Sequence, residues 1–273
     1  MSTRIAVGRA AVAREIRAAA PLMARLRVPL TARAPWLTAV LNDGAARRFS
    51  GRPVAVVVGT RPGVPPDAAA FLLVRRRGPL TAVTMLGDAL APPGAPGARL
   101  LARDDAAAGL LAAGIHDLLC SLRRPRRLRL AGLPLGDPTA RQLKARLEDG
   151  VIATGRTSGL LDDLDEFGPV TRSRDPRVLE RWLPAVVPGR AGAFVRASAR
   201  LHAAIGQVEL AVVADGDRPR AALLTLVDGA GRLPWWGFGD GGPLRTGPGS
   251  PAVSLAAPAG DWPPVPRLRT RSE

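Results

Sequence analysis

The sequence has one cysteine, no tyrosine, a single lysine (Lys144) and a single asparagine (Asn42). A lone cysteine, Cys120, cannot close a disulfide within the chain or build a multi-cysteine zinc site, so neither device can hold this fold together. No apolar run approaches the roughly 20 residues that cross a bilayer. The opening stretch MSTRIAVGRAAVAREIRAAAPLM interrupts its apolar residues with arginines, where a secretory signal needs an unbroken apolar centre. Together these absences predict a cytoplasmic protein without a membrane span. Aromatic residues amount to 4%, which leaves few platforms for stacking nucleic-acid bases.

Hydrophobic residues make up 47% of 273, enough for one large domain or two small ones with real cores. The formal net charge is +16. Such a charge invites a nucleic-acid reading, yet nearly all of it is arginine in a sequence dominated by Ala, Gly, Pro and Arg. That is the composition GC-rich coding produces where side-chain identity is loosely constrained. The densest basic run, RRPRRLR at 123–129, has no aromatic beside it and reads as a solvated turn between a helix and a strand.

Local patterning is mixed α/β. APWLTAVLNDG (34–44) places Trp36, Leu37, Val40 and Leu41 on one side of a helix that stops at Gly44. RPVAVVVG (52–59), AAAFLLVRRR (68–77) and PLTAVTMLGD (79–88) read as a strand meander. A helix follows at 103–122, with Leu111, Ile115, Leu118 and Leu122 at helical spacing and early aspartates at its positive end. Next come a strand at 126–134 and a helix capped by Asp137, with Pro138 at its first position and Gly150 at its stop. VIATGR (151–156) reads as a further strand. The first half is therefore α-β-β-β-α-β-α-β.

Composition turns polar, acidic and then basic over 157–175, read as a connecting segment. Asp162, Asp163, Asp165 and Glu166 match no cation-binding loop and read as a solvated helix end. Helices at 176–187 and 192–206 precede a hairpin, VELAVV and AALLTLV across ADGDRP, and a third strand, LPWWGFG. A Pro/Gly-rich stretch containing the short apolar run PAVSL (251–255) leads to a tail at 261–273 read as disordered. The expected parts are 1–156, 157–175 and 176–260. The two large parts echo each other: helix, three strands, then Gly87-Asp88 in one and Gly239-Asp240 in the other.

Gly237, Gly239 and Gly242 are spaced G-x-G-x-x-G, as in a dinucleotide-binding turn. Such a turn needs a helix opening directly on it to hold the pyrophosphate. Here PLRTGPGSP follows, so the glycines read as a strand end that splays or lets a ligand approach the backbone.

The runs PWLTAVL, RPVAVVV, FLLVRRRG and TMLGDALAPP, then LRLAGLPLGDPTARQLKARL, resemble the first half of CelD/FemAB-like members of the GNAT acyltransferase superfamily. FVRASARLHAAIGQVELAVVADGDRPRAALLTLVDGAGRLPWWGFGD with GSPAVSL resembles a second GNAT-like half. The resemblance covers most of 34–256 and implies two GNAT-like lobes, with mixed, mainly antiparallel sheets backed by helices and a second lobe that stops early. It also implies an acyl-CoA or other activated acyl donor in one lobe and an amine acceptor between the lobes, either a small molecule or a cell-envelope precursor. The superfamily's pyrophosphate loop after the fourth strand is missing from both halves, and no tightly bound cofactor or metal is expected.

Amide-forming acyl transfer needs donors for the carbonyl oxygen and a base for the amine proton. Candidate bases are His202, on an apolar helix where packing competes with catalysis, and Asp88 and Asp240, at equivalent strand ends where turn capping competes. Candidate ligand contacts are Trp235 and Trp236, which alternate across a strand, Gly237 and Gly239 beside them, and Arg196 and Arg200, one helical turn apart. His116 and Cys120 share a helical face and read as core packing. Three functions follow: an acyltransferase, a non-catalytic binding protein on the same scaffold, and a nucleic-acid-binding protein resting on charge alone.

Overall fold

A computed structural model describes residues 2–46, 51–62, 64–95, 99–123, 125–189 and 192–257. The chain opens with β1 (Ser2–Val7), α1 (Arg9–Arg25) and α2 (Ala34–Ala46), followed by the meander β2 (Arg52–Gly59), β3 (Ala68–Arg77) and β4 (Leu80–Met85). It then leaves the sheet through a 3-10 turn at Asp88–Leu90 and returns as β5 (Leu101–Ala102). Next come α3 (Asp105–Ser121), β6 (Arg126–Leu133), α4 (Pro138–Lys144) and β7 (Val151–Leu160). The second part has β8 (Thr171–Ser173), α5 (Pro176–Val186), α6 (Ala193–Ala203), β9 (Val208–Asp215), β10 (Arg218–Asp228), β11 (Gly231–Gly239) and β12 (Gly242–Pro243). The last described strand is β13 (Thr246–Ala257).

These strands form two sheets, ordered β1-β2-β3-β4-β6-β13-β7, with β5 also on β3, and β12-β11-β10-β9-β8. Every pairing is antiparallel except β4 with β6. The unit β1-α1-α2-β2-β3-β4 recurs as β8-α5-α6-β9-β10-β11, with the strands side by side in the same order. Two lobes of mixed, mainly antiparallel sheet backed by helices are therefore the architecture, and the second has fewer elements than the first.

Three expectations are corrected. The element order of the first part, expected to open with the helix at 34–44, opens with β1 and α1; β1 is an edge strand whose largely exposed residues carry no strong alternation. The segment 157–175 is not only a connection, because β7 continues to Leu160 and β8 starts the second sheet. Residues 246–257 do not belong with the second lobe. They form β13, which lies between β6 and β7 of the first sheet. Residues 258–260 and the tail at 261–273 lie outside the described residues.

The meander strands read as continuous apolar runs because both faces of their sheet are covered. Ala55, Val57, Ala69 and Phe71 pack toward α1 and α2, whereas Val54, Val56, Val58, Ala68, Ala70 and Leu72 pack with Leu111, Ile115 and Leu143 of α3 and α4. The first of these cores does not stop at the lobe boundary. Trp36 of α2, 1% exposed, meets Phe194 of α6 at 5.4 Å and Trp235 of β11 at 5.3 Å between ring centroids. Edge-on aromatic contacts of this kind add about 0.5–1.5 kcal/mol beyond burial.

The acidic segment at 162–166 leads into a 3-10 turn (Leu164–Phe167), and three of its carboxylates face arginines. Asp162 pairs with Arg172 at 2.8 Å, and Arg245 reaches both Asp163 and Glu166. Nearby, Glu209 on β9 is buried beneath Arg232 and Arg174, and the Arg232 hydrogen bond holds its carboxyl below the usual range. A carboxyl depressed in the folded state contributes stability that is present above its unfolded value and lost as pH falls through the folded one. The Glu209→Gln variant is thus expected to be less stable at neutral pH and to lose part of the acid dependence of unfolding below about pH 4. Urea titrations at pH 7 and pH 3 check this; an unchanged difference between the two pH values would remove Glu209 from the account.

Candidate active site at the end of β4

β4 and β6 run parallel, and their pairing ends at Thr84–Arg129, although β6 continues to Leu133. Beyond that pair the chain after β4 turns away at Gly87, so among the described residues no strand faces the β4-side edge of β6. Gly87 adopts a left-handed φ of 88°, and a Cβ there would lie 3.0 Å from Val40 and 3.5 Å from the Trp36 indole nitrogen. Glycine therefore lets the chain turn tightly against α2 and presents Asp88 at the point where the strands part.

Beside this opening is a cavity of about 960 Å³. Val40, Leu41, Leu73, Met85, Leu86 and Leu90 give it an apolar lining, and Arg9, Arg75, Arg76, Arg77, Asp43 and Asp88 bring charge to it. Burial pushes the Asp88 carboxyl above its ordinary value, and the positive charge of Arg129 pulls it part of the way back. Asp88 is thus a stronger proton acceptor than a solvated carboxylate, held next to an apolar volume. The Arg75 Nε is buried without a hydrogen-bond partner.

The start of α3, which follows the same excursion, offers no phosphate cradle. The Asp104 side chain accepts from the Ala107 amide at 2.8 Å, and Asp105 adds a second acidic group in the first turn. That amide bond, reinforced by Arg103, holds the Asp104 carboxyl below the usual range. The positive end of this helix is occupied by the protein's own carboxylate.

Of the candidate bases and ligand contacts named in sequence, only Asp88 lines the cavity. Asp240 sits at the matching end of β11 but pairs with Arg220 on an exposed turn. His202 is fully buried against Trp36; its Nδ1 lies 3.2 Å from Gln207, and burial pushes its pKa down, leaving a neutral core imidazole. Trp235 belongs to the shared core, and half-exposed Trp236 donates from Nε1 to the Val186 carbonyl. A Cβ on Gly237 would fall 2.5 Å from Leu244, and one on Gly239 would run into the Phe167 ring, so packing accounts for both glycines. Arg196 donates to the carbonyls of Val187 and Gly189 after α5, and Arg200 pairs with Glu180. His116 and Cys120, read as core, are instead at the surface, 3.7 Å apart. No group of acidic, His or Cys side chains suited to a metal ion occurs among the described residues, and no helix there is long and apolar enough to cross a membrane.

The residues missed in sequence are Arg75, Arg77, Thr84, Arg127 and Arg129. RRPRRLR, read as a solvated turn, in fact runs into β6 from Arg126, where Arg127 and Arg129 alternate with Leu128 and Leu130. The run itself does not show what faces that strand.

No family model matches the chain, and no curated protein does. Among solved structures, it is similar to a tandem GNAT protein from the clavulanic acid biosynthesis pathway at 13% identity, over 96% of this chain and 100% of that one, with a TM-score of 0.37. It is also similar to an Enterococcus faecalis V583 protein described as a "Probable N-Acyltransferase", at 10% identity over 95% and 73% of the two chains, with a TM-score of 0.33. At these TM-scores neither likeness bears on the site, so function has to be read from the cavity itself.

Proposed function

We propose that the chain is a GNAT-type N-acyltransferase working at the end of β4, on the CelD/FemAB-like pattern of its sequence. The observation that carries this reading is the parting of the parallel β4–β6 pair beside an apolar cavity with the half-buried Asp88 carboxylate at its rim. Unpaired strand edges accept an extended, amide-bearing ligand by main-chain hydrogen bonding, which suits the arm of an acyl thioester such as acyl-CoA. The acyl group then fills the apolar lining and the acceptor amine lies at Asp88. The amine nitrogen attacks the carbonyl carbon; the C–N bond forms, the C–S bond breaks, and sulfur leaves as thiolate with the bonding pair. Asp88 takes the proton that nitrogen sheds, and that proton ends on the thiolate.

A second reading, ligand binding without transfer, is favoured by Asp104 and Asp105, which close the start of α3 to the phosphates of a CoA donor. Thiol release from acetyl-CoA and longer acyl-CoAs in the presence of amines separates the two. Asp88→Asn is expected to lower kcat/KM about 10²–10⁴-fold, the range for a lost general base. Because Arg129 opposes the upward shift of Asp88, the acid limb of the wild-type rate profile should lie above the ordinary carboxylate value of about 4 and move further up in Arg129→Ala. Full activity in Asp88→Asn removes the assigned base, and absence of thiol release with every donor leaves the binding reading.

A further inference from the structure

The open face of the first sheet beside the cavity carries four arginines in register. Leu73 pairs with Thr84, and Thr84 with Arg129; one step along, Arg75 pairs with Ala82, and Ala82 with Arg127. Arg77 pairs with Leu80 in the next row. Side chains at every second strand position share a face, so Arg75, Arg77, Arg127 and Arg129 stand together. Leu128 and Leu130 point the other way, into the core under α3. The two β4 residues between the arginines, Ala82 and Thr84, are small. With strands about 4.8 Å apart, the Arg75 and Arg127 backbones are about 10 Å apart across Ala82. Gly51 keeps the space beside Arg75 open, since a Cβ there would sit 2.4 Å from its Cγ.

Like charges on neighbouring strands oppose folding. Several arginines elsewhere are matched to carboxylates: Arg4 with Glu15, Arg172 with Asp162, Arg220 with Asp240, Arg232 with Glu209. Among the described residues, the cavity beside this face is lined by two carboxylates, Asp43 and Asp88, and Asp88 is the one near Arg129. The four arginines outnumber these carboxylates, which leaves positive charge for an acid group beside a carboxylate that suits an amine.

We propose that the acceptor is an amine that also carries an acid group, phosphate or carboxylate, with its nitrogen at Asp88 and its acid on Arg75, Arg77, Arg127 and Arg129. This substrate class rests on the acyl-transfer reading for its chemistry but not for its binding. Guanidinium pairs recognise both acids through forked, charge-assisted hydrogen bonds. The small area, bounded by an apolar cavity, fits a small molecule better than a polymer.

Isothermal titration of the full chain, without donor, tests this with O-phosphoethanolamine and β-alanine as the two acid arms, and with ethanolamine and inorganic phosphate as fragments. The two-headed probes are expected to bind at least about tenfold tighter than either fragment. Arg127→Glu and Arg129→Glu, both exposed on β6, should each weaken them about tenfold or more, and Arg127→Glu, which does not adjoin Asp88, should leave ethanolamine unchanged. Preference for one two-headed probe identifies the acid. Equal affinity for ethanolamine and the two-headed probes, or unchanged binding in both variants, overturns the proposal. So does salt-sensitive binding of an oligonucleotide that is lost in the same variants, which assigns the face to nucleic acid. If binding follows the expectation and no acyl transfer is found, the transfer reading fails alone; transfer to acidic and neutral amines with equal kcat/KM sinks the acidic acceptor alone.

Discussion

Truncation after Arg245 is expected to abolish stable folding of the first lobe. β13 supplies the pairing for both of its neighbours, with Ala256 opposite Arg129 on one side and Val151 on the other. Without it β7 has no partner in the first sheet, and β6 becomes an edge. Val253 and Leu255 leave the core they share with Leu128, Leu130 and Leu133. Burying a Val or Leu side chain contributes about 1.5–3 kcal/mol, so two of them together with a double ladder are comparable to the roughly 5–15 kcal/mol by which domains are stable. Circular dichroism and proteolysis of the truncated chain should report loss of native structure. Refolding with a peptide of residues 246–257 should restore it, because the missing strand is a contiguous piece. A truncated chain with a native spectrum and an unchanged melting temperature would mean that β13 is not integral to the sheet.

The second large effect is expected at Trp36. Its ring is buried between α6 and β11, and Trp→Ala changes in cores cost about 3–5 kcal/mol. Because Trp36 comes from the first lobe and its ring partners from the second, the loss should appear as one cooperative transition moved to lower denaturant. Trp236→Ala, at a half-exposed ring making one hydrogen bond, should change stability by about 1 kcal/mol. Two separate transitions in Trp36→Ala, or equal effects of the two substitutions, would contradict a shared core.

Local signals made most of the elements legible. Asp137 does cap α4, its side chain accepting from the Ala140 amide at 2.8 Å, and the VELAVV–AALLTLV hairpin pairs as its turn implies. The echo of Gly87-Asp88 and Gly239-Asp240 marked real equivalents, each at the end of the fourth strand of its unit. Equivalence of position did not bring equivalence of surroundings. Asp88 meets a cavity and Arg129, Asp240 meets Arg220, and each arginine lies far along the chain from the aspartate it faces. β13 escaped for a related reason: its apolar run is short, its ends are Gly/Pro-rich, and its partners lie about a hundred residues away along the chain. The arginine face also needs the β4–β6 register to exist, a relation between strands on opposite sides of α3. Periodicity reports which face a side chain takes, but it carries no information on which strand comes alongside.

The most direct test of the site is thermal unfolding of wild type and Thr84→Trp with acetyl-CoA and longer acyl-CoAs at millimolar concentration. Thr84 lines the cavity between Leu73 and Arg129, and an indole there would fill the space assigned to the acyl group. A ligand bound to the folded state raises the melting temperature by mass action. At least one acyl-CoA should stabilise wild type and have no effect on Thr84→Trp; equal stabilisation of both proteins, or none of wild type by any acyl-CoA, would contradict an acyl site at the end of β4.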